Sequence, residues 1–68
     1  MNVLLNGERR ELRDGATVAD AVAAAGAPES RAGIAVAVGG EVVPRGRWAE
    51  QRLEEGEHVE VLQAVQGG

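Results

Sequence analysis

The stretch that decides the fold is Thr17-Val18-Ala19-Asp20-Ala21-Val22-Ala23-Ala24-Ala25-Gly26. It predicts one short helix of about nine residues with a small-residue face suited to close packing on a sheet. Thr17 and Asp20 have the spacing of a capping box, with Asp in place of the usual Glu or Gln. Gly26 and Pro28 end the helix, because Gly suits the position after a helix and Pro cannot continue it. The apolar face recurs at i, i+3, i+4 and i+7 and consists of Val18, Ala21, Val22 and Ala25.

Residues before this helix predict a β-hairpin. A first strand over residues 1–6 is followed by Asn6-Gly7, the dipeptide most typical of a tight type I′ turn. A return strand over residues 8–13 then places Leu12 inward, and Asp14-Gly15 forms a second turn.

Residues after the helix predict three further strands. Residues 34–38 alternate large and small side chains, which puts Ile34, Val36 and Val38 on the core face. Gly39-Gly40 is read as a turn, and Val42-Val43 as a short strand that Pro44 ends or places at an edge. These signals predict a second strand pair that follows the helix in the sequence.

The last third of the chain predicts a brief helical or 3₁₀ turn within residues 45–53 and an acidic turn at residues 54–57. A final strand over residues 58–65 has Val59 and Val61 on its core face, with Glu60, Leu62 and Ala64 opposite. A helix between two strand pairs predicts an α+β roll, in which the last strand can lie parallel to the first.

Composition limits the classes of function. The chain has 68 residues, a formal net charge of -4 and no Cys, and all seven basic residues are Arg. One small domain fits this length, and its charge disfavours nucleic acid and anionic membranes as partners. The absence of Lys and Cys excludes a Schiff-base lysine, a thiol nucleophile and a thiolate metal site. No apolar run is long enough for a membrane span, so a cytoplasmic location is expected.

The closing residues Val65-Gln66-Gly67-Gly68 are the one place where chemistry is expected. Two glycines make a thin, flexible tail that can enter a narrow channel. The Gly68 carboxylate can attack a phosphorus of ATP to give an acyl-adenylate, from which a nucleophile displaces AMP. We therefore predict a domain at residues 1–64 and a flexible tail at residues 65–68. Leu62 and Ala64 are apolar beside that tail, as in a docking patch.

The layout resembles the ubiquitin-like β-grasp fold, with a mixed four- to five-stranded sheet and one main helix on one face. Within that fold the chain resembles the ThiS family, the sulfur carriers of thiamine thiazole biosynthesis. The matching features cover essentially the whole chain. They are the Thr17-Val18 helix start, the strand at 34–38, Val42-Val43-Pro44-Arg45 followed by Trp48, the Glu55-Gly56-Glu57 turn, and residues 63–68.

This resemblance implies a non-enzymatic carrier that is modified at Gly68. A ThiF-like adenylating enzyme would activate the Gly68 carboxylate with ATP and Mg²⁺, while the carrier itself binds no cofactor. A cysteine-derived persulfide donor would then convert it to a thiocarboxylate, and a thiazole synthase would accept the sulfur. The resemblance implies that Val65, Gln66 and Gly67 bind within a partner's channel. The apolar Leu62 and Ala64 complete the predicted partner-binding residues, and the absence of an aromatic residue from this strand is a departure from the family pattern.

Other functions stay open at this stage. The chain could carry sulfur for molybdopterin or another cofactor, modify proteins through Gly68, or act as an interaction module with an inert tail. The sequence does not favour a catalytic role, because His58 is the only histidine and is expected at an exposed strand start. The residues 54–57 lack metal-ligand spacing, Trp48 is read as a packing anchor, and Arg45 and Arg47 as solvated side chains.

Overall fold

The computed structural model describes residues 1–28 and 30–64 and shows one helix on a five-stranded mixed sheet. The spatial strand order is β2-β1-β5-β3-β4, with β5 parallel to β1 and antiparallel to β3. The predicted α+β fold class and the parallel pairing of the first and last strands are confirmed. The elements in chain order are β1 (Asn2–Leu5), β2 (Glu8–Glu11), α1 (Val18–Ala24), β3 (Ile34–Val38), β4 (Glu41–Val42), a 3₁₀ turn (Arg45–Arg47) and β5 (His58–Gln63).

The first hairpin forms at the predicted turn. Asn6 and Gly7 have φ of 51° and 82°, the paired left-handed conformation that a type I′ turn requires. Both strands are shorter than predicted. Strand β1 ends at Leu5 because Asn6 has a positive φ, and β2 ends at Glu11. After β2 ends at Glu11, the Leu12 N–H still bonds to the Met1 carbonyl at 2.8 Å, and the Leu12 side chain packs against the core as predicted.

Helix α1 begins with the predicted capping box. The Thr17 hydroxyl accepts from the Asp20 N–H, and the Asp20 carboxylate accepts from the Thr17 N–H at 2.8 Å. The helix has seven residues, two fewer than predicted, because Ala25 forms its C-cap and Gly26 turns to φ 81°. Its buried residues Val18, Ala21 and Val22 include three of the four predicted positions.

The core lies between α1 and one face of the sheet, and it is rich in valine as the sequence predicts. The inner faces of three strands contribute Val3, Leu5, Val36, Val38, Val59 and Val61. Val36 and Val59 are each 1% exposed. Burial of these apolar side chains, all but one of them valine, beneath the helix is the main source of stability in so short a chain.

The segment after β3 corrects the predicted fourth strand. Strand β4 is Glu41–Val42 and not Val42-Val43, although the Val43 N–H still donates to the Val36 carbonyl at 2.8 Å, at the next position of the β3–β4 register. Val43 is buried whereas Val42 is 76% exposed. The prediction that Pro44 ends the strand or places it at an edge is confirmed, since β4 is an edge strand.

Trp48 anchors the long connection to β5, as predicted. It is 3% exposed, and its indole Nε1 donates to the Val43 carbonyl at 2.9 Å. Arg45 is exposed, as predicted, and its guanidinium also lies 5.8 Å from the Trp48 ring centroid and donates to the Ser30 carbonyl. Arg47 is exposed.

Strand β5 ends at Gln63, two residues before its predicted end at residue 65. Its core face carries Val59 and Val61, as predicted. The predicted division between a domain at residues 1–64 and a tail at residues 65–68 stays a prediction, because the tail lies outside the described residues. In the described part of the chain, no helix has the length and apolarity needed to cross a bilayer.

Candidate functional site

The segment that leads into the predicted tail is the end of β5, in the middle of the sheet. We call residues 61–64 the tail root. On the β3 side, Gln63 is in register with Ile34, and the Ala64 N–H donates to the Gly33 carbonyl at 2.8 Å. Gly33 has φ of 73°, which glycine adopts at little cost. The tail root is therefore held one residue beyond the end of the strand.

On the β1 side, a side chain holds the tail root. The Asn6 carboxamide accepts a hydrogen bond from the Val61 N–H at 2.8 Å and donates one to the Val61 carbonyl at 3.2 Å. Asn6 and Val61 are 55 positions apart in sequence. The tail root therefore has a hydrogen-bonded partner on each side, from the first hairpin and from the residue that precedes β3.

The outer face of the sheet, opposite α1, carries an apolar patch. Leu62 is 61% exposed and lies opposite Ala35 on β3, while Ala37 lies opposite Val42 on the edge strand. The two alanines have small side chains and lie on β3, between the larger Leu62 on β5 and Val42 on β4. We call these four residues the outer-face patch. Large apolar side chains exposed together are typical of an interaction surface.

Polar residues flank this patch. Glu60 is exposed and lies opposite Ala37, and His58 is exposed at the start of β5, where the sequence placed it. A shallow depression next to the patch is lined by Leu4, Asn6, Gly7, His58, Glu60 and Leu62. A partner with a cationic group near its apolar contact surface would complement Glu60.

The predicted site residues divide into two groups. Leu62 and Ala64 are exposed and adjoin the tail, so both are accessible to a partner. Val65, Gln66, Gly67 and Gly68 lie outside the described residues. The structure adds residues that the sequence reading missed, namely Asn6, Gly33, Ala35, Ala37 and Val42. For the two alanines a signal existed, because the alternation that puts Val36 inward puts Ala35 and Ala37 outward.

A carboxylate in the first turn of α1 has a shifted pKa. Asp20 has a lowered pKa, mainly because its carboxylate accepts the Thr17 backbone N–H, with further lowering from Arg13. Thr17 is the N-cap of α1 and Arg13 lies only seven residues before Asp20, so this pKa shift reflects local structure. Among residues 1–28 and 30–64, no cluster of three His, Asp or Glu side chains could hold a metal ion.

A family model decides the identity of the chain. The ThiS family model matches residues 3–68, which is nearly the whole sequence. The chain belongs to the ThiS family. Proteins of the ThiS family are small sulfur carriers rather than catalysts, and membership supports a role as a sulfur carrier in thiamine biosynthesis.

Solved structures agree with this ThiS assignment at the level of the fold. The crystal structure of the thiamine biosynthesis protein ThiS from Geobacter metallireducens has 24% identity and a TM-score of 0.79, with all of both chains covered. The solution structure of a thiamine biosynthesis protein from the same organism gives the same identity and TM-score, covering 100% of this chain and 88% of that one. No curated protein matches the sequence.

Proposed function

We propose that this ThiS-family chain carries sulfur as a thiocarboxylate on Gly68 and delivers it for the thiazole ring of thiamine. The observation that carries the proposal is the family match over residues 3–68, which includes Gly67 and Gly68. The hydrogen bonds that fix the tail root support it, because they give the reactive end a defined starting point.

The chemistry takes place on the tail within partner enzymes. In a ThiF-like adenylating enzyme, which supplies ATP and Mg²⁺, a Gly68 carboxylate oxygen attacks the α-phosphorus and pyrophosphate leaves. The terminal sulfur of a persulfide donor then attacks the acyl carbon, and AMP leaves. A thiol cleaves the resulting acyl disulfide, which releases the thiocarboxylate and a disulfide. At a thiazole synthase the thiocarboxylate sulfur bonds to the acceptor's carbon, and cleavage of the acyl–sulfur bond, with an oxygen from water or from the acceptor, regenerates the carrier's carboxylate.

The carrier contributes reach and docking to these steps. Four extended residues span about 13 Å, which separates the reacting atom from the folded domain. Val65 and Gln66 would occupy the channel mouth, and Gly67 would let the backbone pass the narrowest point. Leu62 and Ala64 would contact the partner surface around that channel, with Leu62 extending the contact into the outer-face patch. We expect these reactions in the cytoplasm, because the chain contains no Cys and its stability does not depend on disulfides.

The decisive experiment is the intact mass of the untagged protein after incubation with a ThiF-like adenylating enzyme, ATP, Mg²⁺ and a persulfide donor. A fraction heavier by the difference between sulfur and oxygen, about 16 Da, and mapped to Gly68 supports the proposal. Deletion of Gly68 should abolish ATP–pyrophosphate exchange and leave the fold intact. Unchanged exchange after that deletion would refute the proposal. Higher-mass conjugates in cell extract would indicate a protein modifier instead.

A further inference from the structure

The β1 side of the tail root lacks a continuing strand, because the chain turns away at Asn6-Gly7. The last pair of residues in register between the two strands is Leu5 and Val59. The last backbone hydrogen bond of this ladder runs from the Asn6 N–H to the Val59 carbonyl at 2.9 Å. Beyond that point the positive φ of Asn6 and Gly7 directs the backbone into the hairpin.

The Asn6 side chain takes the place of the missing peptide group. A carboxamide offers one carbonyl oxygen and an N–H donor, the same pair of groups as a peptide unit. Here Oδ1 accepts from the Val61 N–H and Nδ2 donates to the Val61 carbonyl. Val61 is 8% exposed, so in the folded chain its backbone groups on this side are satisfied by the carboxamide rather than by solvent. The parallel ladder is thus extended by one step through a side chain.

We infer that Asn6 is a positioning residue for the reaction at Gly68: it acts through Val61 and fixes the direction in which the tail leaves the sheet. This inference rests on the proposed function. The Gly33–Ala64 hydrogen bond holds the tail root from the β3 side only. Without the carboxamide, the β1 side is released, and the tail root can swing away from the first strand.

We expect loss of the Asn6 carboxamide to lower kcat for adenylation and to leave KM for the carrier nearly unchanged. Asn6 lines the depression beside Leu62 but is not a member of the outer-face patch, so its variants keep all four apolar side chains of the patch. Misplacement of a reacting group lowers the rate within the bound complex. The parameter to measure is therefore kcat, set against KM for the carrier, in ATP–pyrophosphate exchange by a purified ThiF-like adenylating enzyme.

Two substitutions separate the carboxamide from the turn. Asn6→Gly keeps the left-handed backbone and removes only the side chain. Asn6→Asp keeps an acceptor for the Val61 N–H, but its ionised form places a second oxygen against the Val61 carbonyl. Its protonated form has both an acceptor and an O–H donor and restores the original pattern. Thr17→Ala is the control, because it destabilises the domain through the helix cap and leaves the tail root unchanged.

We expect Asn6→Gly to lower kcat about tenfold relative to Thr17→Ala, with KM changed little. Hydrogen exchange at the Val61 amide should accelerate more in Asn6→Gly than in Thr17→Ala. For Asn6→Asp, the ratio of its kcat to the wild-type kcat should rise as the pH falls through the pKa of the new carboxyl group. That rise is rescue by protonation, which general destabilisation would not produce.

The outcomes distinguish this inference from the proposed function. An active wild type whose Asn6→Gly variant equals Thr17→Ala in kcat overturns the positioning role and leaves the carrier function standing. A pH-independent ratio for Asn6→Asp also overturns it. A wild type without Gly68-dependent exchange refutes the carrier function, and the positioning role falls with it. In that case hydrogen exchange at Val61 still reports whether the carboxamide holds the strand.

Discussion

The Ala64 N–H donates to the Gly33 carbonyl at 2.8 Å, so a glycine before β3 holds the residue from which the tail departs. A Cβ at Gly33 would lie 3.5 Å from the Ala64 carbonyl oxygen, which is ordinary van der Waals contact. Space therefore does not require glycine at this position. The positive φ does, because an L side chain in that region is strained.

Gly33→Ala should destabilise the domain by about 1 kcal/mol and loosen the tail root. The strain at φ 73° can relax if residue 33 rotates, and rotation moves the carbonyl that Ala64 needs. Urea unfolding gives the free energy, and hydrogen exchange at the Ala64 amide reports the local effect. Gly15→Ala is the matched control, with φ of 82° and no atom within 4 Å of its Cβ. Equal Ala64 exchange in the two variants would contradict the prediction.

Trp48→Phe should destabilise the domain by about 1–3 kcal/mol, because the Val43 carbonyl loses its indole donor and a void replaces part of the ring. Arg45→Ala should cost less, about 0.5–1 kcal/mol, since the guanidinium stacks on the Trp48 ring from an exposed position. Urea denaturation of both variants, followed by circular dichroism, gives the comparison. The reverse order of stabilities would show that the Nε1 hydrogen bond is not the main contribution.

Asp20→Asn should lower stability at neutral pH and matter less in acid. The pKa of Asp20 lies below its ordinary value of 3.8 in the folded chain, so its ionised form stabilises the native state. That contribution to stability is fully present above pH 3.8, the ordinary pKa of Asp, and is lost as the pH falls through the lower pKa of the folded state. The test is the difference in urea midpoint between wild type and variant from pH 7 to pH 2. A difference that grows as the pH falls would contradict the assignment.

Leu62→Ala should weaken binding to the ThiF-like adenylating enzyme by about tenfold and leave stability nearly unchanged. The side chain is 61% exposed in the free chain, so its apolar area is removed from water mainly on docking. Titration calorimetry measures the affinity, and thermal unfolding checks the fold. Leu62→Met conserves volume and should bind like the wild type. Equal affinity of the Ala and Met variants would exclude Leu62 from the interface.

Glu60→Arg should slow association with the same enzyme more strongly at low ionic strength than at high. Glu60 is exposed next to the outer-face patch, and charges at the rim of an interface act mainly on the association rate. Stopped-flow measurements at two salt concentrations give the rates. A loss that is independent of salt would point to a steric cause instead.

The local features of the fold could be predicted from the sequence. The Thr17–Asp20 cap, the Asn6-Gly7 turn and the alternation around Val36 depend on residues within a few positions of one another. Element ends were less predictable: α1 stops after seven residues because Gly26 turns to a positive φ, and β4 lies one residue earlier than predicted because its position depends on pairing with β3. Leu62 and Ala64 were found because they break the polar pattern of an outward strand face.

The sequence by itself determined the valine core face, the caps and turns and the single helix, since each follows from local conformational preference or from the spacing of apolar side chains. Only the tertiary structure decided that β5 lies at the centre of the sheet and that Asn6 and Gly33 hold its end from opposite sides. Asn6 and Val61 are 55 positions apart, and nothing in the composition of either segment specifies which distant peptide group a carboxamide will meet. That contact forms only once the packing of helix on sheet has fixed the strand order and register.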